Sequence, residues 1–146
     1  MRNSPDNNYE RGAPGSPAPA GRLGRPVPRP GPRQILGRQG EDLAASALEA
    51  AGLEIVARNV RTRLGEVDLV ARDGRATVFV EVKTRRGDRY GTGADAITWR
   101  KQERMRRLAA AYLGPALQST AVRFDVVDVA LRPGAEPAIR HIRGAF

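Results

Sequence analysis

The chain has no cysteine, one histidine and, among 25 basic residues, only two lysines. Without cysteine there is neither a disulfide nor a thiolate metal site. His141 alone cannot supply the nitrogen- and sulfur-rich shell that zinc prefers. A metal would have to be held by oxygen, which suits magnesium, manganese or calcium. Long apolar runs are missing too: no stretch approaches the ~20 residues a membrane-spanning helix needs. Prolines interrupt the N-terminal region where a secretory signal would carry its apolar segment. The expectation is a soluble, cytoplasmic protein with no membrane partner. At 146 residues the chain suits one domain and is short for two.

Positive charge is abundant instead. The formal net charge is +9, and 23 of the 25 basic residues are arginine. A polyanion is the natural partner of such a surface. The arginine excess has a second reading, a nucleotide bias of the genome without functional meaning. On either reading Lys83 and Lys101 stand out, because arginine is otherwise the default cation.

Residues 1–33 hold eight of the eleven prolines and five glycines. So little apolar surface cannot offset the entropy of ordering the chain, and the segment reads as a disordered tail. Its arginines at 22, 25, 29 and 33 either graze a phosphate backbone or are simply solvated. The domain is expected over 34–146.

From Ile35 the pattern changes. Leu36, Leu43, Ala44, Ala47, Leu48 and Ala51 recur at helical spacing, and Gly52 closes the helix. Three strands are expected next, at Ile55–Val60, Val67–Ala71 and Ala76–Thr84. Asp73-Gly74 between the last two signals a hairpin, so those strands should be antiparallel neighbours. After a loop at Gly87–Gly93, a second helix is expected from about Ala94 to Leu113, ended by Gly114-Pro115. Val122–Leu131 reads as a fourth strand and Ile139–Ile142 as a short edge strand. The class is α/β, a sheet flanked by helices.

Strand periodicity makes the chemical case. Along Val78-Phe79-Val80-Glu81-Val82-Lys83, Phe79, Glu81 and Lys83 share one face. Glu81 and Lys83 then sit about 7 Å apart on a strand otherwise apolar enough to be central. Across the hairpin, Glu66 and Asp68 join that face if Val67 and Leu69 take the other. Three carboxylates and one amine then crowd a small area; the like-charged carboxylates repel and raise each other's pKa, and a hard divalent cation would relieve them. The competing account is a structural ion pair of Lys83 with Asp68 or Glu81.

Three segments together resemble a known family: Gly37-Arg38-Gln39-Gly40-Glu41, Gly65-Glu66-Val67-Asp68-Leu69-Val70 and Val78-Phe79-Val80-Glu81-Val82-Lys83-Thr84-Arg85. They look like the YraN family, related to Holliday junction resolvases within the PD-(D/E)xK nuclease superfamily. The resemblance covers residues 35 to 143. It implies a restriction-endonuclease-like mixed sheet of four to five strands flanked by helices. It implies Asp68, Glu81 and Lys83 as catalytic residues, with Glu41, Asp68, Glu81 and the Val82 carbonyl around Mg²⁺ or Mn²⁺. The implied activity is metal-assisted hydrolysis of DNA phosphodiesters, branched or junction DNA above all, by a homodimer. Val67 stands where many of these nucleases carry proline. Without the resemblance, Glu41 reads as a charge favoured near a helix start.

Arg85, Arg86 and Arg89, with Arg100, Lys101 and Arg104, would form the nucleic-acid track; the competing reading is a solvated charged helix face. Lys101 lies in an apolar row with Ile97, Met105, Leu108 and Tyr112, so it either snorkels to water or reaches the site. Trp99 and Tyr90 are candidates for stacking on unpaired bases, though packing at a helix end is the default for Trp99. Asp125 reads as a structural partner of an arginine, and His141 as a surface residue. Two rivals to a nuclease remain: a nucleic-acid-binding module of the same fold without turnover, and a domain whose basic surface docks an acidic protein.

Overall fold

The computed structural model describes residues 30–87 and 97–146. Their order is α1 (Pro32–Ala50), β1 (Glu54–Thr62), β2 (Gly65–Asp73), β3 (Ala76–Arg86), α2 (Trp99–Leu113), a 3-10 turn (Gly114–Ser119), β4 (Ala121–Leu131) and β5 (Ala138–Ile142). The strands form one mixed sheet in the order β1-β2-β3-β4-β5. Only β3 and β4 run parallel, a pairing that needs a crossover, and α2 lies in the connection between them. All other neighbours are antiparallel. The expected sheet between helices is therefore present, with all five strands. No helix among the described residues is long and apolar enough to cross a membrane. The tail expected over 1–33 lies, up to residue 29, outside the described residues.

Both helices differ from expectation at their starts. α1 begins at Pro32, where the missing N–H of proline costs nothing and its fixed φ is already helical. α2 begins at Trp99, because Thr98 is extended (φ −60°, ψ 153°) and its hydroxyl caps the N–H of Lys101. Ile97 is buried but lies before the helix, so it is not part of the helical row. The β2–β3 hairpin turns on Gly74, whose φ of 59° suits the first position of a type II′ turn.

The sheet is covered on both faces. On one side α1 packs Ala44, Ala45 and Leu48 against Leu69, Ala71, Val78, Val80, Val127 and Val129. On the other, Met105, Leu108 and Ala109 of α2 meet Val67, Val70 and Phe79. Phe79 meets Tyr112 edge-on at 5.7 Å, and Phe124 stacks on Phe146 at 5.0 Å. α1 approaches β3 closely because residue 40 is glycine: a methyl group there would overlap the Thr84 side chain.

One expectation about faces is corrected. Val67 does not share a side with Leu69; it packs with Val70 and Phe79 under α2. Val67 and Val70 are three residues apart and so are Ala57 and Val60, which lean on the same cluster. Strict alternation therefore breaks at the residues between them. In β1 the break is at Asn59, whose φ of 52° is left-handed, a region asparagine tolerates better than most residues. In β2 it is at Asp68.

Candidate metal centre and nucleic-acid face

Asp68 sits where β2 and β3 part. Their ladder runs from Asp73–Ala76 to Leu69–Val80 and goes no further. Beyond it, the Asp68 carboxylate takes the place of a ladder carbonyl and accepts the Val82 N–H at 2.7 Å. That bond aims the aspartate at the segment carrying Glu81 and Lys83, which project on the α2 face with Phe79 as expected. Glu81 is the middle residue of the eleven in β3 and Lys83 lies toward its carboxyl end, the side on which open α/β sheets usually place their sites.

The electrostatics are unfavourable for an anion. Burial, above all, pushes the Asp68 carboxyl up to about 6; the Val82 hydrogen bond opposes this, and the charges of Glu81 and Glu41 add to it. Lys101 pulls in the other direction. Its ammonium contacts the Glu81 carboxylate, a pair largely shielded from water, so this lysine reaches the site rather than snorkelling to solvent. Lys83 makes no ion pair among the described residues, so the structural pair weighed for it does not form. Burial first, and then the Lys101 charge, make its ammonium more acidic than an ordinary lysine, against the pull of Glu81 and Asp128.

Glu41 is not near a helix start. With α1 beginning at Pro32 it lies mid-helix, one residue past the close approach of Gly40 to Thr84. Its carboxylate accepts a hydrogen bond from the Asn59 amide at 3.1 Å. Asn59 was not foreseen; a lone asparagine inside a strand pattern, a poor strand former in the middle of β1, was the available signal. Glu66 is held by Arg61 at 3.2 Å, on the partly exposed side of the β1–β2 hairpin. The acids that bear most on Asp68 are therefore Glu81 and Glu41.

The donor chemistry suits a hard cation in part. Among the described residues no three acidic or imidazole groups stand close enough to hold an ion by themselves. Asp68 and Glu81 are the two candidate side-chain ligands, with Glu41 behind them. Val82, whose N–H is committed to Asp68, has its carbonyl to offer. Water and phosphate oxygens would complete the shell, a mode common for magnesium.

The basic face is assembled unevenly. Arg85 is tied to Asp128 at 3.0 Å, and Arg86 is exposed. Arg89 and Tyr90 lie outside the described residues. Arg100, Lys101, Arg104 and Thr98 line a groove of about 380 Å³. Trp99 is not packed at the helix end: it is 71 % exposed.

On β4, in register with Val80 of β3, a different set of charges begins. Asp125 is fully buried and receives Arg123 through Nε at 2.9 Å and Nη2 at 3.0 Å. Nε2 of His141 lies 2.8 Å from its Oδ2, and the Gly144 N–H donates at 2.9 Å. Arg123 also reaches Asp73 at 2.7 Å. The arginine partner expected for Asp125 is present, whereas His141 belongs to this network and not to the surface.

Comparison with known proteins fits this arrangement. The profile of an uncharacterised protein family, UPF0102, matches residues 40–129, which span α1 from Gly40 through most of β4. A UPF0102 protein of Nocardia farcinica is 53% identical over 122 residues, covering 81% of this chain and 94% of that one. One from Symbiobacterium thermophilum is 51% identical over 112 residues, 76% and 95% of the two chains. A third, from Acidothermus cellulolyticus, is 46% identical over 125 residues, 78% and 95%. The stretches carrying Glu41, Asp68, Glu81, Lys83 and Lys101 all fall within the family match, and the chain belongs to the UPF0102 family.

Proposed function

We propose that this chain is a metal-dependent nuclease acting on DNA phosphodiesters, with branched or junction DNA as the favoured substrate. The observation that carries the reading is the half-buried Asp68 carboxylate, set where β2 and β3 part, with its pKa raised by burial and by the charges of Glu81 and Glu41, a position that a cation would relieve. A divalent ion such as Mg²⁺ or Mn²⁺ would supply a Lewis acid for a phosphate oxygen and a more acidic bound water. Asp68 and Glu81 would hold it, and the Val82 N–H keeps Asp68 turned toward the site. Lys83 would position the attacking water, take its proton at Nζ when neutral, or stabilise charge on the phosphate. Lys101 neutralises Glu81 and can turn toward a phosphate. Arg100 and Arg104 would bind flanking phosphates. Symmetric cutting of a junction would call for a homodimer.

A second reading has its own observation. Lys101 already supplies a cation to Glu81, which fits a nucleic-acid-binding module that keeps the cluster without turnover. The two separate by incubating the chain with single-stranded, duplex, flapped and four-way DNA in Mg²⁺ or Mn²⁺. The expected result is cutting of branched DNA, abolished in Asp68→Ala and Glu81→Ala and reduced roughly 10²–10⁴-fold in Lys83→Ala, with binding retained in all three. Binding with no cutting under any condition would favour the module. No affinity even at low salt, where phosphate contacts are strongest, would favour a protein-docking role instead.

A further inference from the structure

Trp99 is the chain's one tryptophan, and it opens α2 with its side chain in solvent. An exposed indole forgoes a large apolar burial, so its position calls for an occupant. Leu64, at the tip of the β1–β2 hairpin, is also 46 % exposed. The two residues line one open groove of about 290 Å³ with Arg100, Glu103, Arg104 and Arg107. Arg107 is partly answered by Glu103 at 3.3 Å. Arg100 and Arg104 make no ion pair among the described residues.

Shared residues link this groove to the metal centre. Arg100 and Arg104 line both it and the neighbouring groove, which Lys101 also lines, and Lys101 contacts Glu81. The start of α2 thus presents an aromatic ring and two guanidinium groups beside a lysine that touches the acidic centre. Planar apolar surface rimmed by arginine matches one ligand chemistry, a base attached to phosphates. A purely apolar protein surface would leave Arg100 and Arg104 buried without partners, which is costly.

We infer that Trp99, with Leu64 beside it, is a stacking shelf for an unpaired nucleobase adjoining the phosphate bound at the Asp68 centre, with Arg100 and Arg104 on the intervening phosphates. The inference rests on the reading of this face as the nucleic-acid side, and it deepens that reading by naming single-stranded nucleotides as the element recognised. A base within duplex is already stacked on both faces and cannot use the shelf. A base at a flap or junction arm can.

The sole tryptophan makes the test direct. The full chain is titrated at low salt, with a chelator present so that nothing is cut, while tryptophan fluorescence and binding are followed together. The probes are a single strand of about a dozen nucleotides, a blunt duplex of equal length and an abasic strand of the same backbone. The single strand should quench saturably, and the duplex and abasic strand should bind without comparable quenching. Trp99→Ala should weaken single-strand binding about ten-fold and leave duplex binding nearly unchanged, while Trp99→Phe restores most of the loss. Leu64→Ser, as a second variant, should give a smaller loss of the same kind. Equal quenching by the abasic strand, or a Trp99→Ala chain that binds single strands as tightly as the parent, overturns the shelf. Quenching without cutting in the separate nuclease assay upholds the shelf and removes only the nuclease. Cutting that ignores the aromatic residue does the reverse.

Discussion

Asp68 and Asp125 look alike in sequence, each an aspartate between apolar residues of a strand, and the fold treats them in opposite ways. Asp125 is fully buried, yet Arg123, the Gly144 N–H and His141 outweigh the cost of burial and hold its carboxyl below the usual range. Asp68 is less deeply buried but is answered chiefly by one N–H, with two further acids at hand, and is pushed up to about 6. The two are close in the sheet: Asp125 is in register with Val80, next to Glu81 on the strand between them, and its network runs from there through Arg123 to Asp73. Around Asp125, charge holds strands together. Asp68 is left poorly compensated, as a site awaiting a cation would be.

Stability measurements can break this comparison. The largest effect is expected at the compensated aspartate. Asp125→Ala should cost about 3–5 kcal/mol by leaving Arg123 without its bidentate partner, read as a fall in the urea midpoint. Because the Asp125 pKa is lowered on folding, its contribution is present above the ordinary carboxylate range and is lost as pH falls through the folded value.

The sign reverses at Asp68. The folded carboxyl holds its proton up to about pH 6, above the ordinary carboxylate value of 3.8, so the penalty on the folded state builds as pH rises between the two and is complete above the higher one. Asp68→Asn should therefore stabilise the chain at pH 7 by roughly 1–3 kcal/mol, even as it removes any cutting. The gain should shrink as pH falls from 6 toward 4, where both proteins are neutral at this position. A destabilised Asp68→Asn chain at neutral pH would mean that the carboxylate is structural, and the contrast with Asp125 would collapse.

The smallest effect sharpens the comparison. Glu41→Gln keeps an acceptor for Asn59 but removes one like charge, so Asp68 should titrate at lower pH. NMR titration of the Asp68 carboxyl reads this directly. An unmoved titration would place Glu41 outside the cluster.

Much of this was legible in the residues. The 3.6-residue and two-residue periods locate both helices and the strands, since each reports which face is buried. Asp73-Gly74 gave the hairpin, and with it the approach of Asp68 to Glu81. The alternation of Phe79, Glu81 and Lys83 held because β3 is regular there. It failed for Val67, because a strict period assumes a regular strand and β1 and β2 turn together at Asn59 and Asp68. Trp99 was misjudged on a tendency, the burial of large aromatics, that says nothing of what lies opposite a helix's first residue. His141 was misjudged because a lone histidine carries no local sign of an aspartate sixteen residues away.

The sequence by itself determined what is local: which segments are helix or strand, which side chains share a face where the strand is regular, and the oxygen-rich, thiol-free chemistry available to any metal. Pairing across distance was decided only by tertiary structure. Lys101 rather than Lys83 meets Glu81, Glu41 and not Glu66 bears on Asp68, and Arg123 neutralises Asp125. The reason is physical. Periodicity fixes the direction of a side chain relative to its own backbone, whereas the energy of a charge depends on which charges and how much water the packed chain brings to it.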